Sequence, residues 1–176
     1  MRPFVLICTL ALIPMSAAAT ESAAVPDDAP VSSDIRYGVS AGAVEVSTAP
    51  HATHVGAYGI AGGYAIIPLG ADALIPAVSF EYSPDTSAWG GVLTLTYDTP
   101  LASAPLGIDV TAILLSDLVG SDLSLAALYG GAGLGATWFM DDHWSCSAAV
   151  NIYHGVNIMA APGWTAGPIL FFGYAF

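Results

Sequence analysis

The stretch that decides the fold is the last one, Trp164–Phe176, which reads WTAGPILFFGYAF. In its second half a large apolar side chain falls on every second residue, at Leu170, Phe172, Tyr174 and Phe176. Successive side chains of a β-strand point to opposite faces, so this alternation predicts a strand with one continuous apolar face. We use this face to decide which faces of the preceding strands point the same way.

The same period of two residues recurs along the chain in segments of about ten residues, the length a tilted strand needs to cross a bilayer. The clearest case has Trp89, Leu93, Leu95 and Tyr97 alternating with glycine, threonine and aspartate. Turn residues such as Gly, Pro, Asp and Ser separate the segments. We count eight strands, at about 35–46, 54–67, 73–82, 89–98, 106–115, 123–139, 144–153 and 164–176.

Several of these segments depart from a regular pattern. The phase of 123–139 is ambiguous because the segment is rich in glycine, and Ser116 to Ser121 before it is predicted to be a loop. Since proline cannot donate to a strand ladder, we expect a bulge at Pro76 and at Pro168, and another where the phase shifts near Glu45. The second strand carries Tyr58, Ile60, Tyr64 and Ile66 on one face and, between Ala57 and Ala65, only glycine and alanine on the other.

The N-terminus predicts export. A basic lead (1–3), an apolar run (4–14) and small residues up to Ala19 form a signal peptide, predicted at 1–19. Residues 20–33, rich in alanine, serine, proline and acid, are expected to be a flexible lead-in, and the barrel to occupy 34–176. The apolar run is too short for a transmembrane helix, and no later segment is apolar for long enough.

Composition narrows the function. The chain is 55% hydrophobic with a mean hydropathy of +0.68, yet it has 14 acidic residues against two basic ones. After the predicted signal peptide only Arg36 remains basic, which excludes nucleic-acid binding. Cys146 would be the one remaining cysteine, so no internal disulfide is expected. Basic loops that would hold lipid phosphates are missing. If the outer leaflet carries anionic lipid, divalent cations would have to bridge it to the protein. The alternative interpretation is a habitat rich in salt.

These observations predict an all-β protein, a closed antiparallel up-and-down transmembrane β-barrel of about eight strands. An even count places both ends of the barrel on the periplasmic side. The lumen of eight strands is wide enough only for side chains, so a porin is not expected. The alternative is a secreted soluble barrel or sandwich that binds a ligand. Against it, the opposite faces are too small and uncharged to cover a soluble protein.

The inward polar set includes four charged residues, Arg36, Glu81, Asp98 and Asp109. A buried guanidinium needs a partner, so we expect Arg36 to pair with one of the three acids. The interpretation we prefer is a structural network in the lumen rather than a proton or ion path. No cofactor is expected.

Four histidines fall at the predicted strand ends. His51, His54 and His154 belong to the first and last outer loops, which adjoin when the barrel closes, and three histidines are candidates for a zinc or copper site. They lack fixed spacing and a partner carboxylate, so solvated loop histidines are the preferred interpretation. His143 is expected at the opposite rim.

The signal peptide, the eight strands and the terminal Phe172, Tyr174 and Phe176 resemble the small outer-membrane barrels of the OmpA/OmpX kind. This resemblance covers nearly the whole exported chain. It implies a Gram-negative outer membrane, with surrounding lipid as one partner. It also implies that the aromatic ending is the signal presented to the barrel-insertion machinery.

A fainter resemblance, to the lipid A deacylase PagL, rests on the sequence His154-Gly155-Val156-Asn157 before the last strand. That family has His-x-Ser-Asn-Ala here, with serine as nucleophile, histidine as base and a later glutamate. This chain has Val156 at the serine position, Ile158 at the alanine position and no glutamate after Glu81. A hydroxyl nucleophile is therefore missing. We predict a structural or surface-interaction barrel without catalysis, the alternative being a lipid A esterase that uses His154.

Overall fold

The computed structural model describes residues 34–48, 53–84, 88–102, 104–119, 124–156 and 164–176. The predicted signal peptide and lead-in lie outside these residues. The described chain forms one closed sheet of eight strands, each bonded to its neighbours in sequence, with β8 returning to β1. The strands are β1 (Arg36–Thr48), β2 (Thr53–Leu69), β3 (Asp72–Ser83), β4 (Ala88–Pro100), β5 (Leu106–Val119), β6 (Ser124–Phe139), β7 (Trp144–Gly155) and β8 (Trp164–Ala175).

All eight pairings are antiparallel, which confirms the predicted up-and-down barrel. We call the end that holds Arg36 and Ala175 the terminal end, and the opposite one the loop end. A path of paired residues that leaves β1 at Gly38 returns to it at Thr48, a stagger of ten residues. A stagger of this kind tilts the strands by roughly 35–45°. The described residues include no helix long and apolar enough to cross a membrane.

The outer surface carries the apolar faces predicted for most strands. Leu170 and Phe172 are exposed on β8, Leu93 and Leu95 on β4, and Val150 on β7. The residues between them point into the barrel, where Val92 and Ile169 are buried. The apolar ending of the chain therefore does face outward.

Strand β2 has the opposite arrangement. Its bulky residues Ile60 and Tyr64 pair with Gly42 and Gly38 of β1, whose positions face the lumen. From Ala57 to Ala65 the outward face of β2 is consequently made of small residues, at Ala57, Gly59, Ala61, Gly63 and Ala65, and large apolar residues return only at its terminal end, at Ile67 and Leu69.

Pairing also resolves the segments that were irregular in sequence. In β6, Gly133 lies opposite Thr111 of β5, which places Gly133 inward and Leu134 outward. The loop predicted at 116–121 is wrong over residues 116–119, because β5 continues to Val119. Along the described strands the register shifts between Val46 and Ser47 and between Asp117 and Leu118. The first of these follows directly after Glu45.

The bulges expected at Pro76 and Pro168 are wrong. The β3–β4 register runs through Pro76 without a shift, and the β7–β8 register does the same through Pro168. On its other side each proline lies in a gap in the pairing, between Ala77 and Leu74 towards β2 and between Ile169 and Ala166 towards β1. The register is the same on both sides of each gap. The missing N–H of each proline therefore removes hydrogen bonds from the ladder but does not insert the extra residue that a bulge would contain.

Glycine provides the room that bulky lumen side chains need. A Cβ added to Gly42 would lie 2.7 Å from Cδ1 of Phe171, and one added to Gly131 would lie 2.8 Å from Cδ1 of Tyr153. A Cβ on Gly38 would overlap the ring of Tyr64. Gly38, Gly42 and Gly131 thus each leave room for a large inward side chain of a neighbouring strand.

Candidate functional site

The upper part of the lumen is apolar. Ile60, Val92, Ile113 and Tyr153 come from four different strands and form one buried cluster, with Leu115, Tyr129 and Phe171 packed against it. Asn151 donates a hydrogen bond to the Tyr153 hydroxyl at 2.9 Å, so the polar atom of this cluster has a partner. We call this group the apolar layer.

The part of the lumen nearer the terminal end is polar. The hydroxyls of Thr96 and Thr111, which face each other across β4 and β5, are 2.8 Å apart. Thr137 Oγ1 donates to Asp109 Oδ2 at 2.7 Å and lies 2.7 Å from Ser147 Oγ. These side chains share a position a few residues from the strand ends, and together with Asp98 they form what we call the polar floor: Thr96, Asp98, Asp109, Thr111, Thr137 and Ser147.

Two carboxyl groups meet in the polar floor. Asp98 of β4 is paired directly with Asp109 of β5, and their side chains lie within hydrogen-bonding distance of each other. Asp98 is only 3% exposed and Asp109 6%. Oδ1 of each is buried and has no hydrogen-bond partner among the described residues. Asp98 reaches this position by lying against Gly107, where a Cβ would collide with its carboxyl group.

A cavity of about 170 Å³ connects the two parts of the lumen. Its lower wall includes the polar side chains of Asp109, Thr111 and Thr137, and its upper wall includes Ile113 and Phe171 of the apolar layer and its neighbours. A space of this size with polar partners on one side is large enough for several water molecules or a hydrated ion.

The predicted network of four charged residues is divided in the structure. Arg36 lies at the terminal end, where its Nη2 donates to the backbone carbonyl of Asp142, a partner that sequence did not suggest. Glu81 is buried near the loop end, where its side chain packs over Gly90 of β4. The structure thus brings together Asp98 and Asp109 and holds the other two apart from them.

The histidines occupy both rims. His154 is exposed at the loop end, where its ring lies 4.9 Å from that of Trp164 and its Nδ1–H donates to the Gly155 carbonyl. His51 and the side chain of His54 lie outside the described residues, so the three-histidine metal site stays a prediction. His143 is at the terminal end, as expected, stacked on Tyr174. Among the residues that the structure describes, no group of three or more His, Cys, Asp or Glu is placed to hold a metal ion.

The deacylase resemblance gains no support from the residues that can be described. Val156, at the position of the family's serine, is exposed just after β7, and Asn157 and Ile158 lie outside the described residues. Cys146 is a free thiol on the outward face of β7.

The turn between β6 and β7 is held by one carboxylate. Asp141 Oδ1 accepts hydrogen bonds from the backbone N–H groups of Trp144 and His143, each at 2.7 Å. These two bonds hold the pKa of Asp141 below its usual value. Next to this turn Trp144 packs edge-on against Tyr174, which adds to the aromatic surface at the terminal end.

The fold is similar to those of three solved structures, two of them bacterial outer-membrane barrels and one a designed transmembrane barrel. Neisserial surface protein A is 10% identical, with a TM-score of 0.56 over 81% of this chain and 97% of that one. The N-terminal β-barrel domain of Pseudomonas aeruginosa OprF is 17% identical, with a TM-score of 0.55 over 81% of this chain and 100% of that domain. A de novo designed transmembrane β-barrel gives a TM-score of 0.51 at 12% identity, over 80% and 95% of the two chains.

No protein-family profile matches the chain, and no curated protein sequence matches it. At identities this low, the likeness to solved structures concerns the fold. The chain therefore has the closed eight-stranded barrel fold that is found in small outer-membrane proteins.

Proposed function

We propose that this protein is an outer-membrane β-barrel of a Gram-negative bacterium, exported through the periplasm. Its role is structural or concerns interactions at the cell surface. It is neither a porin nor an enzyme. The observation that carries this proposal is the combination of an apolar outer surface with a lumen in which side chains from four strands pack into an apolar layer.

The outer surface supports insertion into lipid. Large apolar side chains such as Phe80, Leu134 and Phe172 are more than half exposed and recur around the barrel. A soluble protein rarely exposes contiguous apolar patches larger than a few hundred Å². Aromatic pairs lie at both rims, Tyr82 with Trp89 at the loop end and Trp144 with Tyr174 at the terminal end. Such rings suit the two interfaces of a bilayer.

The apolar layer in the lumen argues against a channel. The apolar layer, built around Ile60, Val92 and Ile113, brings side chains from separate strands into contact across the barrel. An ion that passed this layer would lose its hydration without gaining polar partners, which is costly. The barrel is therefore suited to fill the membrane and present loops, with lipid as its principal partner.

The proposed partners follow from the two ends of the barrel. The terminal Phe172, Tyr174 and Phe176 would be recognised by the barrel-insertion machinery during assembly. Because the chain has 14 acidic residues and only two basic ones, divalent cations would bridge it to anionic lipid of the outer leaflet.

Insertion is tested by fractionation and by lipid contact. We expect the protein in the outer-membrane fraction, with a gel mobility that changes when the sample is heated. In a background that lacks Cys146, a fluorophore placed at Ala61→Cys should be quenched by spin-labelled lipid. The same fluorophore at Ser79→Cys, which faces the lumen, should be protected from the quencher. Recovery only in the soluble fraction, or equal quenching at both positions, would contradict insertion as described.

The absence of a pore is tested by conductance. The refolded barrel, added to a planar lipid bilayer, should give no stepwise increase in current in molar salt. A porin refolded in the same detergent serves as the positive control. Reproducible steps from this protein would show that the apolar layer opens, and the role proposed here would have to be abandoned.

A further inference from the structure

We propose that the polar floor of the lumen is a binding site for a hard cation such as Ca²⁺, held by the carboxyl groups of Asp98 and Asp109. This site is separate from any cation that bridges the outer surface to lipid. It goes beyond the structural role proposed above and does not depend on it.

The donor atoms are of the kind that hard cations prefer. Every side chain of the polar floor ends in oxygen, two as carboxyl groups and the others as hydroxyls such as Thr137 and Ser147. Ca²⁺ is bound in proteins by carboxylates, hydroxyls, carbonyls and water, and it tolerates irregular arrangements of them. With two carboxylates the affinity should be modest, in the range of about 10⁻⁴ to 10⁻³ M seen for weak extracellular sites.

The two carboxyl groups need a partner that the described residues do not supply. Asp98 and Asp109 are both more than nine-tenths buried, they touch each other, and Oδ1 of each has no hydrogen-bond donor. Two carboxylates in contact repel strongly away from water, and one buried charge alone already carries a large desolvation cost. The nearest basic candidate, Arg36, donates instead to the carbonyl of Asp142. A cation between the two groups would remove the repulsion and fill both vacant acceptors.

The surroundings offer both room and a route. Asp109 lines the cavity of about 170 Å³, which can hold the water molecules that complete a coordination shell. Asp98 lies two residues before the end of β4 and Asp109 three residues after the start of β5, both near the terminal end, and Asp72 at that end is close enough to interact electrostatically with Asp98. Asp141 and Asp142 belong to the neighbouring turn of the same rim. The acidic residues at the terminal end attract cations from solution towards the polar floor.

Calorimetric titration of the refolded full-length barrel with CaCl₂ tests the site directly. The wild type should bind about one Ca²⁺, with a dissociation constant of about 10⁻⁴ to 10⁻³ M. Asp98→Asn and Asp109→Asn should each weaken binding at least tenfold. The matched control is Asp142→Asn, which removes the same charge from an exposed turn at the same rim and should stay within twofold of wild type. MgCl₂ and NaCl titrations show whether the site prefers the larger divalent ion.

A second measurement covers the case in which an asparagine variant does not fold. Millimolar Ca²⁺ should raise the urea midpoint of the wild type, and it should do so in the Asp142→Asn control as well. The absence of saturable binding by the wild type would overturn the proposal. So would unchanged affinity in both lumen variants, since the cation would then lie elsewhere. A wild-type stability that depends on pH but not on Ca²⁺ would assign a shared proton to the pair and also overturn it.

Discussion

Strands β2 and β4 have equally regular sequences but present opposite faces to their surroundings. On β4 the bulky residues point outward, and Leu93 is 50% exposed. On β2 the bulky residues point inward, and Ile60 is only 5% exposed. The two-residue period predicts that each strand has a bulky face and a small face, but it does not decide which of them lines the lumen.

The difference shows that the volume of the lumen decides how β2 is oriented. Strand β1 contributes Gly38 and Gly42 to the inner wall, and β8 contributes Gly173. Tyr64 of β2 fills the space above Gly38 and approaches Gly173, and Ile60 is the β2 residue paired with Gly42. Protein interiors are packed without large voids, so a wall of glycine requires a neighbour with large side chains. Between Ala57 and Ala65 the outer face of β2 is left small, where fluid lipid can fill the gap.

The largest expected effect separates these two strands directly. Ile60→Ala should lower the free energy of unfolding by an amount in the upper part of the range of about 2–5 kcal/mol, because it removes apolar contacts and leaves a cavity. Leu93→Ala should lower the free energy of unfolding by about 2 kcal/mol, which is the transfer free energy of the three carbon atoms that it removes. No cavity adds to this loss, because lipid refills the space. Both values are measured by equilibrium unfolding in urea after refolding into vesicles. A larger loss for Leu93→Ala than for Ile60→Ala would contradict the orientation of β2.

A second pair of substitutions tests the same orientation within β2 itself. A Cβ added to Gly62 would collide with the Val78 carbonyl and the Ser79 side chain, whereas one added to Gly59 would meet nothing within 4 Å. We therefore expect Gly62→Ala to cost about 1–3 kcal/mol through overpacking. Gly59→Ala should stay within about 0.5 kcal/mol, as an open surface position does.

The same unfolding assay measures both glycine variants, and each serves as the control for the other. Equal effects would mean that both residues have the same surroundings, which is incompatible with one inward and one outward face. A cost at Gly59 alone would place the small face of β2 in the lumen.

Much of the fold could be predicted from sequence because the strands obey one period. The apolar alternation from Leu170 to Phe176, and that from Trp89 to Tyr97, identified both the strands and their outward faces. The positions of Pro76 and Pro168 were also recognised as exceptional. Their consequence was not, because whether a missing N–H produces a bulge or a gap depends on the pairing of the neighbouring strands.

The candidate site was only half predictable for a similar reason. Alternation places Asp98 and Asp109 inward, since each lies on the polar face of its strand. That they are direct neighbours follows from the β4–β5 register, which alternation does not specify. Arg36 was expected to reach one of the acids, but it lies at the rim and meets a backbone carbonyl of a turn. Backbone partners carry no sequence signature.

The smallest expected effect concerns the ladder between β2 and its neighbour β3. The β4–β5 pairing is continuous from Trp89 to Pro100, whereas the β2–β3 pairing has its gap beside Pro76. Pro76→Ala restores a backbone donor there, worth about 0.5–1.5 kcal/mol net if it bonds to β2. The change also makes the unfolded chain more flexible, which costs about 0.4–1 kcal/mol. The two terms nearly cancel, so the free energy of unfolding will barely change with the substitution.

Hydrogen exchange will detect the substitution, because the new amide at position 76 should be protected as strongly as its neighbours in β3. Fast exchange at that amide would mean that the gap exists for a reason other than proline, and the weaker ladder would belong to β2 itself.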